Sequence, residues 1–133
     1  MQVTNASESH RVLLVEDDAE LREAIGEALA THGLDVTTVE DGREALDRMR
    51  EVRPDVVVLD LMMPVMDGWQ FRAEQLKDPV LAKVPVVVIS ADASVHEKVA
   101  SFGAASVLPK PISLDKLLRA VESLYPPPQQ QTP

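Results

Sequence analysis

The chain has 133 residues, 45% hydrophobic but only 3% aromatic, with no cysteine and a formal charge of −9. That length suits one domain with a full core, and aliphatic side chains must fill it. The missing cysteine excludes disulfides, thiolate metal sites and a cysteine nucleophile, and the acidic balance argues against binding nucleic acid or an anionic membrane through basic patches.

Residues 1–10, opening on the polar MQVTNASESH, read as a flexible arm without the build of a secretory signal. An apolar run at 12–15 reads as a strand and ends in Glu16-Asp17-Asp18. Leu21, Ile25, Ala28 and Leu29 then recur at helical spacing and stop before Gly33. Residues 36–39 form a second strand, and Ala45, Leu46 and Met49 a second helical stripe ended by Pro54. The third strand, 56–59, runs directly into Asp60, and Phe71 and Leu76 suggest a third helix. Residues 86–89 make a fourth strand finishing in Ser90, and Val95, Val99 and Phe102 mark a fourth helix. Residues 106–108 give a fifth strand that ends near Lys110. The clearest stripe, Leu114, Leu117, Leu118, Val121 and Leu124, is halted by Pro126, where the low-complexity tail PPPQQQTP begins. No apolar stretch nears the ~20 residues of a membrane helix, so a soluble cytoplasmic domain is the expectation.

Most strands are continuously apolar, as expected when helices cover both faces of a parallel sheet. Five strands alternating with five helices imply a doubly wound, flavodoxin-like α/β sheet, and right-handed crossovers favour the order 2-1-3-4-5. In that order the first and third strands are neighbours where open α/β sheets place their site. Three or four of the acids Glu16, Asp17, Asp18 and Asp60 then converge on one crevice. Each acid has an ordinary alternative: Asp17 and Glu20 have capping-box spacing, and Asp60 alone suits a solvated loop. Together they repel, and a divalent cation relieves that cost. With only oxygen donors on offer, magnesium is the natural choice. Ser90 and Lys110, at the next two strand ends, supply a hydroxyl and a point charge of the kind phosphoryl transfer uses.

LLVEDD, VVVLDLMMPVMDG, VVVISA and LPKP, in this order and spacing, resemble the receiver domain of two-component response regulators, stand-alone chemotaxis regulators among them. The resemblance covers residues 11–125. It implies that Asp60 is the phosphoacceptor, that Asp17 ligates Mg2+ directly, that Glu16 acts through water, and that the Met62 backbone carbonyl completes the protein ligands alongside Asp60. It makes Ser90 the switch hydroxyl and Lys110 the phosphoryl contact, with a cis Lys110-Pro111 bond. It implies a sensor histidine kinase or histidine phosphotransfer protein as donor. The downstream protein would be met on the face of the fourth helix, fifth strand and fifth helix. Catalysis would be confined to phosphorylation and dephosphorylation of the chain's own Asp60. None of His10, His32 and His96 looks like an internal donor. One departure stands out: Val107 occupies a position where receivers usually carry Tyr or Phe.

Three rival readings differ in class. A flavodoxin-like nucleotide binder would need a phosphate-friendly loop where Glu16-Asp17-Asp18 stands. An aspartate-nucleophile phosphohydrolase generally needs a carboxylate where Met62 stands. A receiver-like scaffold that is never phosphorylated would not need the acidic pair, Asp60, Ser90 and Lys110 together. Eight residues follow Tyr125, so the expectation is a stand-alone regulator, a phosphate relay or a receiver from a longer protein.

Overall fold

A computed structural model describes residues 9–63, 65–92 and 103–124. In chain order it gives β1 (Arg11–Val15), α1 (Ala19–Thr31), β2 (Asp35–Val39), α2 (Gly42–Val52), β3 (Val56–Asp60) and α3 (Gly68–Lys77). A 3-10 turn (Leu81–Lys83), β4 (Val86–Ser90), β5 (Ser106–Pro109) and α4 (Leu114–Glu122) follow. The strands form one parallel sheet in the order β2-β1-β3-β4-β5, as the sequence implies. The stripe read as the fifth helix is α4. The fourth predicted helix, through Val95, Val99 and Phe102, lies outside the described residues, as do residues 1–8 of the expected arm and the tail 126–133.

The continuous apolar strands have the cause inferred for them. Leu13, Val15, Val57, Leu59, Val86 and Val88 face α2 and α3, with Ala45, Met49 and Phe71 closing that layer. Their alternate neighbours Val12, Leu14, Val56, Val58, Val87 and Ile89 face α1 and α4, against Ile25, Leu29, Leu117 and Val121. Side chains alternate across a strand, so both layers demand aliphatic residues; β3 and β4 are buried throughout, and β1 from Val12 onward. Each fully buried Val, Leu or Ile contributes roughly 1.5–3 kcal/mol relative to exposure, and this burial opposes the desolvation of the acids at the strand ends.

Helix ends follow local chemistry. Asp18, not Asp17, caps α1, its carboxylate accepting from the Glu20 and Leu21 N–H groups. His32 closes the helix, and Gly33 turns the chain away at φ +85, a left-handed value natural to glycine. Leu76 is a correction: it is 48% exposed, since a residue five positions after Phe71 cannot share its face. The inner face of α3 is instead Phe71, Arg72 and Gln75. The Gln75 amide donates to the carbonyls of Leu81 (2.8 Å) and Val84 (3.0 Å), while Arg72 donates to Gln75 Oε1 (2.8 Å). A buried polar group is tolerated when so bonded. Leu114, placed in the α4 stripe, is likewise exposed at 40%. Among the described residues, no helix is long and apolar enough to cross a membrane.

Candidate functional site

The parallel register brings the strand ends together. Val15 pairs with Leu59 and with Val39, and the Glu16 N–H donates to the Val39 carbonyl, extending the β1–β2 ladder by one residue. Asp60 pairs with Ile89, and Ser90 with Pro109. The Lys110 N–H then donates to the Ser90 carbonyl at 3.0 Å, which carries the lysine back towards β3. The Lys110-Pro111 bond is cis, as the resemblance implies.

Glu16, Asp60 and Ser90 are buried, whereas Asp17 is exposed. Lys110 Nζ lies 3.3 Å from Asp60 Oδ2 and 3.2 Å from Glu16 Oε1. Asp60 Oδ1 accepts from the Met62 N–H at 3.1 Å, and Glu16 Oε2 from the Asp18 N–H at 3.1 Å. One oxygen of each carboxylate is thus fixed by backbone while the other faces the lysine. Ser90 Oγ accepts from the Asp92 N–H at 3.1 Å.

The charge balance is unfavourable. Three carboxylates meet one ammonium, and two of the acids are out of water. Burial is the main force raising Glu16 to about 7; the Asp60 charge adds to it, and the Asp18 N–H and Lys110 oppose it. Burial also raises Asp60 above the ordinary carboxylate range, against the Met62 N–H, Glu16 and Lys110. For Lys110, burial pulls down, but the attraction of Asp60 and Glu16 outweighs it and holds the ammonium above its ordinary value. One lysine does not neutralise this pocket.

A cation fits the remainder. Carboxylate oxygens of Glu16, Asp17 and Asp60 lie within 4.8 Å of one another. Glu16 Oε1 is buried at an ion-pair distance from Lys110 yet makes no hydrogen bond of good geometry, so it has an acceptor site to spare. An all-oxygen donor set with few carboxylates suits Mg2+. Asp18 does not join this group, because it is spent on capping α1. Of the three or four acids expected in the crevice from sequence, three converge.

Four positioning features escaped the sequence reading. Arg22 Nη1 donates to the backbone carbonyls of Glu16 (2.9 Å) and Asp17 (3.3 Å), tying the acidic turn to α1. Its place, four residues after the Asp18 cap, is the only signal. The loop after Asp60 is held at its far end by Gly68, whose N–H donates to the Leu61 carbonyl at 3.0 Å. A Cβ on Gly68 would stand 2.7 Å from Leu61 Cα, so only glycine permits this approach. An Asp67–Gln70 capping box starts α3 there, and Val65 sits between at φ +66.

Comparison with known proteins gives a consistent result. Residues 12–122 match the family model described as "Response regulator receiver domain". Response regulator MprA of Mycolicibacterium vanbaalenii is 42% identical over 116 residues, 86% of this chain and 49% of that protein. MprA of Mycobacterium bovis is 41% identical over 118 residues, 87% of this chain and 50% of that protein. The chain spans about half the length of the curated relatives it matches. Among solved structures, the chemotaxis response regulator CheY4 of Vibrio cholerae has a TM-score of 0.80 at 29% identity, over 88% of this chain and 99% of that one. The receiver domain of a sensor histidine kinase from Pseudomonas aeruginosa PAO1, described with a magnesium ion coordinated in its active site cleft, has a TM-score of 0.80 at 27% identity. That match covers 87% of this chain and 97% of that one.

Proposed function

The chain belongs to the receiver domains of two-component response regulators, and from that premise we propose that Asp60 accepts a phosphoryl group from a partner phosphohistidine. The observation that carries this reading is the Lys110 ammonium bridging two buried carboxylates, 3.3 Å from Asp60 Oδ2 and 3.2 Å from Glu16 Oε1. An ammonium so placed can pass from a carboxylate to an arriving phosphoryl oxygen without moving far.

In the proposed step one Asp60 carboxylate oxygen forms a bond to phosphorus while the phosphorus–nitrogen bond of the donor imidazole breaks. The electron pair leaves on that nitrogen, and the product is an acyl phosphate. The Met62 N–H, which donates to Asp60 Oδ1, holds the carboxylate so that its other oxygen is presented. Lys110 neutralises charge on the transferred oxygens, and the Ser90 hydroxyl turns its proton from the Asp92 carbonyl to the new group. Phosphoryl transfer of this kind depends on positioning and charge screening rather than on acid–base steps. Asp17, Asp60, the Met62 carbonyl and, through water, Glu16 would hold Mg2+, which when bound would supply further screening of the phosphoryl charge. The chemistry is confined to phosphorylation and dephosphorylation of the chain's own Asp60, with no external substrate turned over.

A sensor histidine kinase or a histidine phosphotransfer protein is the proposed donor, in the cytoplasm. The downstream protein is proposed to dock on the face that includes β5 and α4, since β5 is the edge strand beside Ser90 and leads directly into Lys110. Part of that face lies outside the described residues. The test is transfer of labelled phosphate from an autophosphorylated histidine kinase. Label should pass to the native chain and not to Asp60→Asn, an isosteric amide that is a poor nucleophile.

A further inference from the structure

A second cavity lies at the opposite end of the sheet from Asp60, roughly a strand's length away. It occupies about 250 Å³ between the C-terminal ends of α2 and α3, lined by the buried or half-buried Met49, Pro54, Leu81 and Val84, with the exposed Val80, Arg50 and Arg53 and the half-buried Asp78 around its opening. Its floor is apolar. Its rim is cationic, with two guanidiniums against one carboxylate.

That carboxylate is already engaged. Asp78 Oδ1 accepts from the Val80 and Leu81 N–H groups at 2.9 and 3.3 Å, and Oδ2 lies 3.9 Å from Arg50 Nε. Arg53 differs. Among the described residues its guanidinium has no hydrogen bond or ion pair, and its backbone N–H alone is bonded, to the Met49 carbonyl. It also closes α2 in the left-handed region, at φ 53 and ψ 65, a place usually given to glycine. An arginine at this position therefore sets a free guanidinium beside an apolar cavity through an uncommon backbone conformation.

We infer that this cavity binds a small organic monoanion: a carboxylate carrying one aromatic ring or one branched alkyl chain. Ligand pockets of drug size begin at about 300 Å³, so this one holds a single ring or branched chain and little more. The apolar floor buries that body. Arg53 presents a planar fork that matches a carboxylate, with Arg50 beside it. A cation would meet a net positive rim, and a neutral molecule would gain nothing from the exposed Arg53 charge.

The test uses amide spectra of the whole chain titrated with hydrocinnamate, and in parallel with hydrocinnamyl alcohol, its uncharged counterpart. Saturable shifts are expected at Arg53, Val80, Leu81 and Val84, with a Kd on the order of 1 mM for a fragment of this size. The alcohol should bind at least fivefold more weakly. Arg53→Gly removes the guanidinium while suiting the positive φ, so the variant should fold and bind hydrocinnamate about tenfold more weakly. Equal affinity for acid and alcohol, an unchanged Arg53→Gly, or shifts that do not saturate or centre on Asp60 would each overturn the inference.

Discussion

Lys110 Nζ stands 3.3 Å from Asp60 Oδ2 although fifty residues separate the two in the chain. The adjacent β3, β4 and β5 bring them together, and Glu16 Oε1 completes the triangle 3.2 Å from the same ammonium. Lys110→Met would leave two buried carboxylates without their cation. It should cost about 1–3 kcal/mol at pH 8 and less at pH 6, where Glu16, raised to about 7, already takes a proton. Urea unfolding at the two pH values checks this; equal losses would show that the lysine does not screen the pair.

The acids make stability fall with rising pH. Glu16 is held at about 7 in the folded chain against an ordinary 4.5, so the folded state binds more protons between these values. The stability this residue contributes is complete below about pH 4.5 and is lost as pH rises through about 7. Asp60, also raised, acts in the same direction. Metal-free thermal melts should therefore decline from pH 5 to pH 8 more steeply for the native chain than for Glu16→Gln. Parallel pH profiles would contradict the burial argument.

Magnesium should oppose that decline. Its ligands must be deprotonated, so millimolar Mg2+ should raise the melting temperature at pH 8 and barely change it at pH 5. Asp17→Asn should shrink the gain. Melts at pH 8 that are identical with Mg2+ and with chelator would remove the metal from the site.

Val65 carries strain next to this chemistry. It is β-branched, 73% exposed and at φ +66, a conformation that costs an L-residue roughly 1–2 kcal/mol. Val65→Gly loses little burial and removes the clash, so stability should rise by about 0.5–1 kcal/mol even after the extra freedom glycine brings to the unfolded chain. A destabilised glycine variant in denaturant titration would mean that the valine side chain packs more than its exposure indicates.

Ser90 gives a local reporter. Its hydroxyl donates to the Asp92 carbonyl at 3.5 Å and accepts from the Asp92 N–H at 3.1 Å, so turning its proton to a phosphoryl oxygen gives up the first bond and shifts the surroundings of the second. Beryllofluoride with Mg2+ should move the Ala91 and Asp92 amide signals strongly and those of Val107 little, because a valine has no ring to swing and essentially one comfortable rotamer. Large shifts at Val107 with quiet Ala91 and Asp92 would reverse this order of events.

The strands and their order were legible because burial on both faces leaves an unbroken aliphatic run, and because handedness restricts how such runs connect. The site was legible for the same reason, since Glu16, Asp60, Ser90 and Lys110 each terminate a run. What stayed hidden was polar chemistry with two uses. An aspartate caps a helix or binds a cation with equal ease, so Asp17 and Asp18 could be told apart only by where α1 begins. Gln75 and Arg72 were missed, and Leu76 misplaced, because hydrophobicity alone assigned the inner face of α3, while the amide and guanidinium are buried by bonding to carbonyls. The left-handed Val65 and Arg53 left no trace, because neither is a residue type that announces such a backbone.

Intact-mass analysis after incubation with acetyl phosphate and Mg2+, followed by borohydride reduction and peptide mapping, tests the central assignment most directly. One added phosphate per chain is expected, on Asp60 alone, with none on Asp60→Asn. A phosphate on Asp17 or Asp18, or on the Asp60→Asn variant, would contradict it.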